Sequence, residues 1–316
     1  MPSFSPTARD AFGAPARLRV GAELSRGAFS SVHSACCAGV SLALKRSLRP
    51  QPCWTESVLR DEHFLRRLAG HGGVLRVEGA FWDSAQQRCL LLPLATADLH
   101  HERPADARTF RRVLGQLMRA FRHIHCSGVV HLDVKPQNIL VFQPNWRARV
   151  ADFGSSSHRG HVLDDDKLYE CTRPFRAPEL MVAGVKRAQP SMDLWSLGVL
   201  AWDICPGEEL HPLSGAGNSA EQMVLVVALV GCTGGGAWGL PCLESVPPYP
   251  ARLIAPELRC VVTSLLRAAP QERRLPLLRS KRWRAQPAAR GGPGEDDDAQ
   301  EAEAAGDGVE GGGHRG

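Results

Sequence analysis

His131-Leu132-Asp133-Val134-Lys135-Pro136-Gln137-Asn138 stands near the middle of the chain, and Asp152-Phe153-Gly154 begins fourteen positions after Asn138. Two carboxylates, an ammonium and an amide in that order suit phosphoryl transfer. Asp133 would orient a hydroxyl, Lys135 would meet phosphate charge, and Asn138 with Asp152 would offer oxygen to a hard cation. A polar loop beside an ordinary Asp-Phe-Gly turn would carry the same letters. The flanking sequence decides between the two.

Upstream of the loop, Phe110, Val113, Leu114, Leu117, Phe121 and Ile124 recur at helical spacing. They predict a helix over 109–127 that ends at Gly128 in a left-handed cap and delivers the chain to the loop. Downstream, 192–204 is apolar nearly all round, as a helix buried in a domain must be, and two more helices are predicted over 220–230 and 256–268. On the amino-terminal side, residues 18–48 alternate and break at Gly27 and near Gly39, which predicts three strands. A helix over 58–68, with Val58, Leu59, Leu65 and Leu68 as its apolar stripe, and a strand over 88–94 follow.

The chain has 316 residues, 43% of them hydrophobic, enough for two ordinary domains or one large bilobal one. Its formal charge of +5 hides an asymmetry: residues 285–316 carry eight acids against Arg290 and Arg315, so the body is basic and suits anionic ligands. Ten cysteines lie scattered without a paired CxxC framework, and no apolar signal segment opens the chain. These features predict reduced thiols in the cytoplasm or nucleus. The longest aliphatic run, 223–230, is too short to span a bilayer, so no membrane role is expected. Neither zinc-ligand spacing nor the interleaved aromatic and basic residues of a nucleic-acid module is present. The expected organisation is a loose lead-in over 1–16, a small β-rich lobe over 17–94, a larger helical lobe over 95–284 and a disordered acidic tail over 285–316.

The loop and its flanks resemble the catalytic core of the eukaryotic protein kinases, and the resemblance covers about residues 18–284. It implies an α+β, bilobal fold that binds ATP with Mg²⁺ in the cleft between the lobes. Leu24-Ser25-Arg26-Gly27-Ala28-Phe29-Ser30-Ser31-Val32 is similar to the family's glycine-rich loop, with the middle glycine kept and serines at two others. Lys45, closing Leu42-Ala43-Leu44-Lys45, resembles the phosphate-binding lysine. Gly27, Val32, Lys45, Leu92 and Asp152 are thereby implied in nucleotide binding, Leu92 at the back of the adenine pocket. Lys45 needs a carboxylate partner from the next helix. Apolar spacing admits both Asp61 and Glu62, and the longer reach of Glu62 favours it.

In the same resemblance Asp133, Lys135 and Asn138 carry catalysis, Asn138 and Asp152 bind the metal, and the lysine two places after Asp133 points to serine/threonine specificity. Leu132 replaces an arginine common in the family, as in the Mos-like kinases, so a switch that grips an activation-loop phosphate through that arginine is absent. Tyr169-Glu170-Cys171-Thr172-Arg173-Pro174-Phe175-Arg176-Ala177-Pro178-Glu179 is similar to the activation-segment end of the cyclin-dependent, MAP and glycogen-synthase kinases. It implies phosphorylation at Tyr169 read by Arg173 and Arg176. It also implies Thr172 beside Asp133, a buried Glu179–Arg273 ion pair and Asp193 holding the catalytic loop's backbone. The expected protein is a monomeric serine/threonine kinase with protein substrates, an activating partner being open. A pseudokinase scaffold and a small-molecule kinase on the same fold are the alternatives.

Overall fold

Alternation along two central strands sets up the small lobe. A computed structural model describes residues 7–9, 15–164, 172–182, 184–207, 213, 215–230, 261, 264–267 and 269–276. Strands β1 (Thr7–Arg9), β2 (Pro15–Arg26), β3 (Ser30–Cys37), β4 (Val40–Ser47), β5 (Gly79–Trp82) and β6 (Arg88–Pro93) form one antiparallel sheet in the order β1-β2-β3-β4-β6-β5. On β4 and β6, Leu42, Leu44, Cys89 and Leu91 enter one apolar cluster, while Ala43, Leu90 and Leu92 enter the main core on the opposite face. Lys45 therefore shares a face with Ala43. The predicted breaks appear at Gly27 and at Ala38-Gly39, where positive φ at both residues (49° and 80°) turns β3 into β4 with Cys37 opposite Val40.

Two expectations need correction here, and one strand was not foreseen. Thr7–Arg9, assigned to a loose lead-in, pair with Pro15, Ala16 and Arg17, because the outer edge of β2 offers unpaired backbone groups. Helix α1 (Pro52–Arg67) starts six residues earlier than 58, since proline suits a first helical turn. Strand β5 was not anticipated at all.

Helix α2 (Ala107–Cys126) is capped by Asp106, whose carboxylate accepts N–H bonds from Arg108 and Thr109, and Gly128 follows it at φ 74°. Phe110, Val113, Leu114, Leu117, Phe121 and Ile124 are fully buried. Short strands β7 (Ala97–Asp98), β8 (Val129–Val130), β9 (Ile139–Phe142), β10 (Arg147–Val150), β11 (Ser157–His158), β12 (Val162–Leu163) and β13 (Lys186–Arg187) frame the loops below the cleft. Helix α3 (Pro190–Asp203) is buried from Met192 to Trp202, as its all-round apolarity predicts, and α4 is Ser219–Val230. The helix expected over 256–268 lies largely outside the described residues, as do the tail and most of the lead-in. No described helix is long and apolar enough to cross a membrane.

Candidate active site

The fourteen-residue spacing from Asn138 to Asp152 is one antiparallel hairpin. Strands β9 and β10 pair Ile139 with Val150, so Asn138 and Ala151 meet at its open end, where the Ala151 N–H donates to the Asn138 carbonyl (2.9 Å). Asp152 follows at once. It adopts φ 61°, and Leu132 adopts φ 69°, a left-handed backbone that costs a side chain roughly 1–2 kcal/mol per residue. Strain of this kind needs surrounding contacts to hold it.

Asp193 on α3 supplies them for Leu132. Its fully buried carboxylate accepts the N–H of His131 and of Leu132, each at 2.8 Å, and pairs with His125 Nε2 at 2.8 Å. This is the backbone clamp expected of Asp193. His131 Nε2 donates to the Ala151 carbonyl (3.0 Å) and its Nδ1 accepts from Asp133 N–H (3.2 Å), which ties the catalytic loop to the Asp152 segment. Leu132 is itself buried, and no guanidinium stands at its position.

Asp133 lies at the centre of a polar group. Its Oδ1 accepts from Thr172 Oγ1 (2.8 Å) and Thr172 N (3.1 Å); Oδ2 faces Lys135 Nζ at 2.7 Å and accepts from Asn138 Nδ2 at 3.0 Å. Lys135 Nζ also donates to Thr172 Oγ1 (2.9 Å). A carboxylate and an ammonium thus converge on one hydroxyl. The amide nitrogen of Asn138 is spent on Asp133, which leaves its oxygen as an acceptor.

Across the cleft, Lys45 Nζ donates to Asp61 Oδ2 (2.6 Å) and Asp152 Oδ1 (2.7 Å). Glu62 is not the lysine's partner, and its expected place in nucleotide binding is corrected accordingly. One step further around α1, Glu62 accepts from Arg66 Nε (3.0 Å) and from Arg88 Nε and Nη2 (2.9 and 2.5 Å). The physical reason is a second donor. Asp61 Oδ1 also accepts the N–H of Phe153 (2.8 Å), a bridge that requires the carboxylate to sit close to the helix and face the fully buried Phe153. Arg60 adds a bond to the Gly154 carbonyl (2.8 Å), and a side chain at Gly154 would lie 2.5 Å from Ser57 Oγ. Neither Arg60 nor Ser57 was singled out in the sequence, where no local pattern marks them.

Dehydration raises the Asp152 pKa, but the charge and hydrogen bond of Lys45 outweigh it and hold the carboxyl at about 2. Burial works against the Lys45 charge, yet Asp152 and Asp61 together push its pKa above the ordinary lysine value. The Asp152 contribution to stability is therefore present above the ordinary carboxylate range and is lost as pH falls towards 2. Asp61→Asn is expected to lower kcat/KM by on the order of 10²-fold through a misplaced lysine, while Glu62→Gln changes it by less than about threefold. Steady-state kinetics on the two variants side by side checks this.

Among the other expected residues, Val32 stands opposite Lys45 in the β3–β4 register and is half-buried, and Leu92 is buried opposite Ala43. Gly27 sits in the β2–β3 turn, its N–H donating to the Ser30 carbonyl (2.8 Å). A Cβ there would meet Ser30 O at 3.6 Å, an ordinary contact, and the backbone is not left-handed. Nothing among the described residues demands glycine. Gly27→Ala is expected to keep the unfolding midpoint within a few degrees while weakening nucleotide binding by about tenfold, through closer crowding of a phosphate; calorimetric titration with ATP checks it.

Glu179 and Arg273 form the expected pair, bidentate at 2.7 and 2.9 Å. Arg173 donates to the Gly217 carbonyl. Tyr169 lies outside the described residues.

The protein kinase domain family matches residues 18–276. The mitogen-activated protein kinase HOG1 of Blumeria graminis is 29% identical over 214 residues, 65% of this chain and 57% of that protein. That of Candida albicans is 30% identical over 217 residues, 65% and 54%. Mitogen-activated protein kinase 15 of Caenorhabditis elegans is 28% identical over 246 residues, 70% and 52%. The matched region is little more than half the length of these relatives. Among solved structures, a chain of the CAK complex of Chaetomium thermophilum bound to ATP-gamma-S superposes with a TM-score of 0.69 at 21% identity, over 85% of this chain and 92% of that one. That likeness establishes the bilobal fold.

Proposed function

This chain belongs to the protein kinase family, and on that premise we propose that it transfers the γ-phosphate of ATP to serine or threonine hydroxyls of protein substrates. The observation that carries the reading is the convergence of Asp133 Oδ1 (2.8 Å) and Lys135 Nζ (2.9 Å) on a hydroxyl oxygen, that of Thr172. A substrate hydroxyl entering beside Thr172 meets the same two groups. Asp133 orients it and receives its proton, and Lys135 balances charge on the transferred group. Lys45, held between two carboxylates, is positioned to bind the nucleotide's phosphates. Val32 and Leu92 supply apolar wall, and Gly27 lets the backbone come close.

Asn138 and Asp152 fit a magnesium ion, since one offers an amide oxygen and the other a half-exposed carboxylate that stays ionised to about pH 2. When bound, the ion would neutralise charge on phosphate oxygens. The link from Lys45 through Asp61 to Phe153 ties α1 to β4 and to the Asp152 segment. We place the activity in a reducing compartment, cytoplasm or nucleus, in keeping with free thiols at Cys36, Cys37, Cys89, Cys126 and Cys205. Purified protein with Mg-ATP and a mixed peptide library should yield phosphoserine or phosphothreonine. Absence of transfer while ATP still raises the unfolding midpoint would replace the reading with a nucleotide-binding scaffold.

A further inference from the structure

Helix α2 carries five arginines, Arg108, Arg111, Arg112, Arg119 and Arg122, and not one aspartate or glutamate among its 20 residues. At 3.6 residues per turn all five fall within about 100° of the helix circumference, opposite the buried Phe110, Val113, Leu117 and Ile124. Four of them are exposed and Arg111 is half-buried. Among the described residues none of the five lies within ion-pair distance of a carboxylate, whereas Arg26, Arg60, Arg66, Arg76, Arg88, Arg103 and Arg273 all do. The stripe extends sideways. Gln116, one turn from Arg112 and from Arg119, donates to the Trp146 carbonyl (2.7 Å) and accepts from Ala148 N–H (3.1 Å), which sets the exposed Arg147 alongside.

An unneutralised stripe opposes the helix that bears it. Arg108 repels Arg112 at i,i+4, Arg119 repels Arg122 at i,i+3, and Arg108 stands in the first turn where the helix dipole disfavours a cation. Among the described residues none of the five side chains forms an ion pair that would offset this, although the Asp106 cap attracts Arg108 electrostatically.

We propose that the exposed face of α2, with Arg147 beside it, is a docking surface for an acidic segment, rich in aspartate and glutamate, of a partner protein. The charge complementarity is direct: guanidinium forks spaced over about 21 Å of helix match a run of carboxylates, which they bind bidentately. A nucleic-acid strand fits less well, because no exposed aromatic side chain interrupts the stripe to stack on bases. An anionic membrane fits less well too. The exposed large apolar residues, Val20, Leu24, Phe29, Val40, Leu59, Trp82, Leu94, Val162, Val185 and Val224, are all on other elements, so α2 has nothing to insert.

The test is fluorescence anisotropy of a labelled peptide of alternating Asp and Glu, its Asn/Gln counterpart, an oligothymidylate of equal length, and sedimentation with phosphatidylserine vesicles. Each is measured with the full chain and with Arg112→Gln/Arg119→Gln/Arg122→Gln, glutamine being as good a helix former as arginine. The acidic peptide should bind at least about tenfold tighter than the neutral one, and lose about tenfold both between about 50 and about 300 mM salt and in the triple variant. The variant's unfolding midpoint should hold or rise as repulsion is relieved, which separates a lost site from a lost fold. Equal binding of the acidic peptide by both proteins, tighter binding of the oligothymidylate, or adhesion to vesicles without peptide binding would each overturn the proposal.

Discussion

Asp133→Asn is expected to lower phosphate transfer by roughly 10²–10⁴-fold while the protein stays folded and still binds nucleotide. The carboxylate accepts three hydrogen bonds at once, two from Thr172 and one from Asn138 Nδ2, and its Oδ2 faces the Lys135 ammonium at 2.7 Å. An amide in its place can accept at one oxygen only, and its nitrogen would confront either the two Thr172 donors or the Asn138 amide and the Lys135 ammonium. The hydroxyl loses its proton acceptor and its orientation together. Lys45, Asp61 and Asp152 share no hydrogen bond with Asp133, so the lysine's contacts are untouched and only Asn138 couples the two sides. Single-turnover incorporation with saturating Mg-ATP, beside a nucleotide titration, separates the two effects. Undiminished incorporation by the variant would assign the hydroxyl to another base and remove the basis of the proposed mechanism.

The sequence carried this half of the site well, because its spacing is local structure: a loop of eight residues and a hairpin of fourteen. Period did the same for α2 and α3, whose apolar positions are the buried ones. What period could not resolve was the choice between neighbours. Asp61 and Glu62 sit on adjacent faces of α1, and the deciding partner, the Phe153 N–H, comes from a segment 92 positions away. The start of α1 was missed because Cys53, Trp54 and Thr55 are weak helix formers, and the turn is fixed by Pro52 and by Trp54 against Phe29 at 5.8 Å between ring centroids. Strand β5 was missed because four residues opening on Gly79 show no alternation, and its pairing to β6 is what makes it a strand. Asp193 and the Glu179–Arg273 pair were anticipated only through the resemblance to the protein kinases, because burial of a charge is invisible in sequence.

That burial gives Arg273 a large expected effect on stability. Its side chain is fully inaccessible, donates to both oxygens of Glu179 and to the carbonyls of Ser191 (3.0 Å) and Arg267 (2.9 Å), and lies over the Trp195 ring at 5.0 Å. Arg273→Met keeps the volume and removes every donor. Glu179, whose side chain is 16% exposed, would then stand mostly buried without its cation, and removing one partner of a buried pair costs about 3–5 kcal/mol. For a domain of this size each kcal/mol moves the unfolding midpoint by about 2–4 °C, so a fall of roughly 6–20 °C is expected in a thermal melt. Adding Glu179→Leu should recover part of it by removing the stranded charge, but not all, since the Ser191 and Arg267 carbonyls remain without their donor. The double-mutant cycle measures the difference. Glu179 belongs to the segment that follows Thr172 and Phe175, and Ser196 of α3 donates to the Phe175 carbonyl (2.7 Å) on the same side of the loop. Loosening that anchor frees Thr172 from its register with Asp133, so the single variant should lose transfer activity at temperatures below its own melting transition. A midpoint shift under about 2 °C would mean that the pair and its Trp195 contact are dispensable to the large lobe.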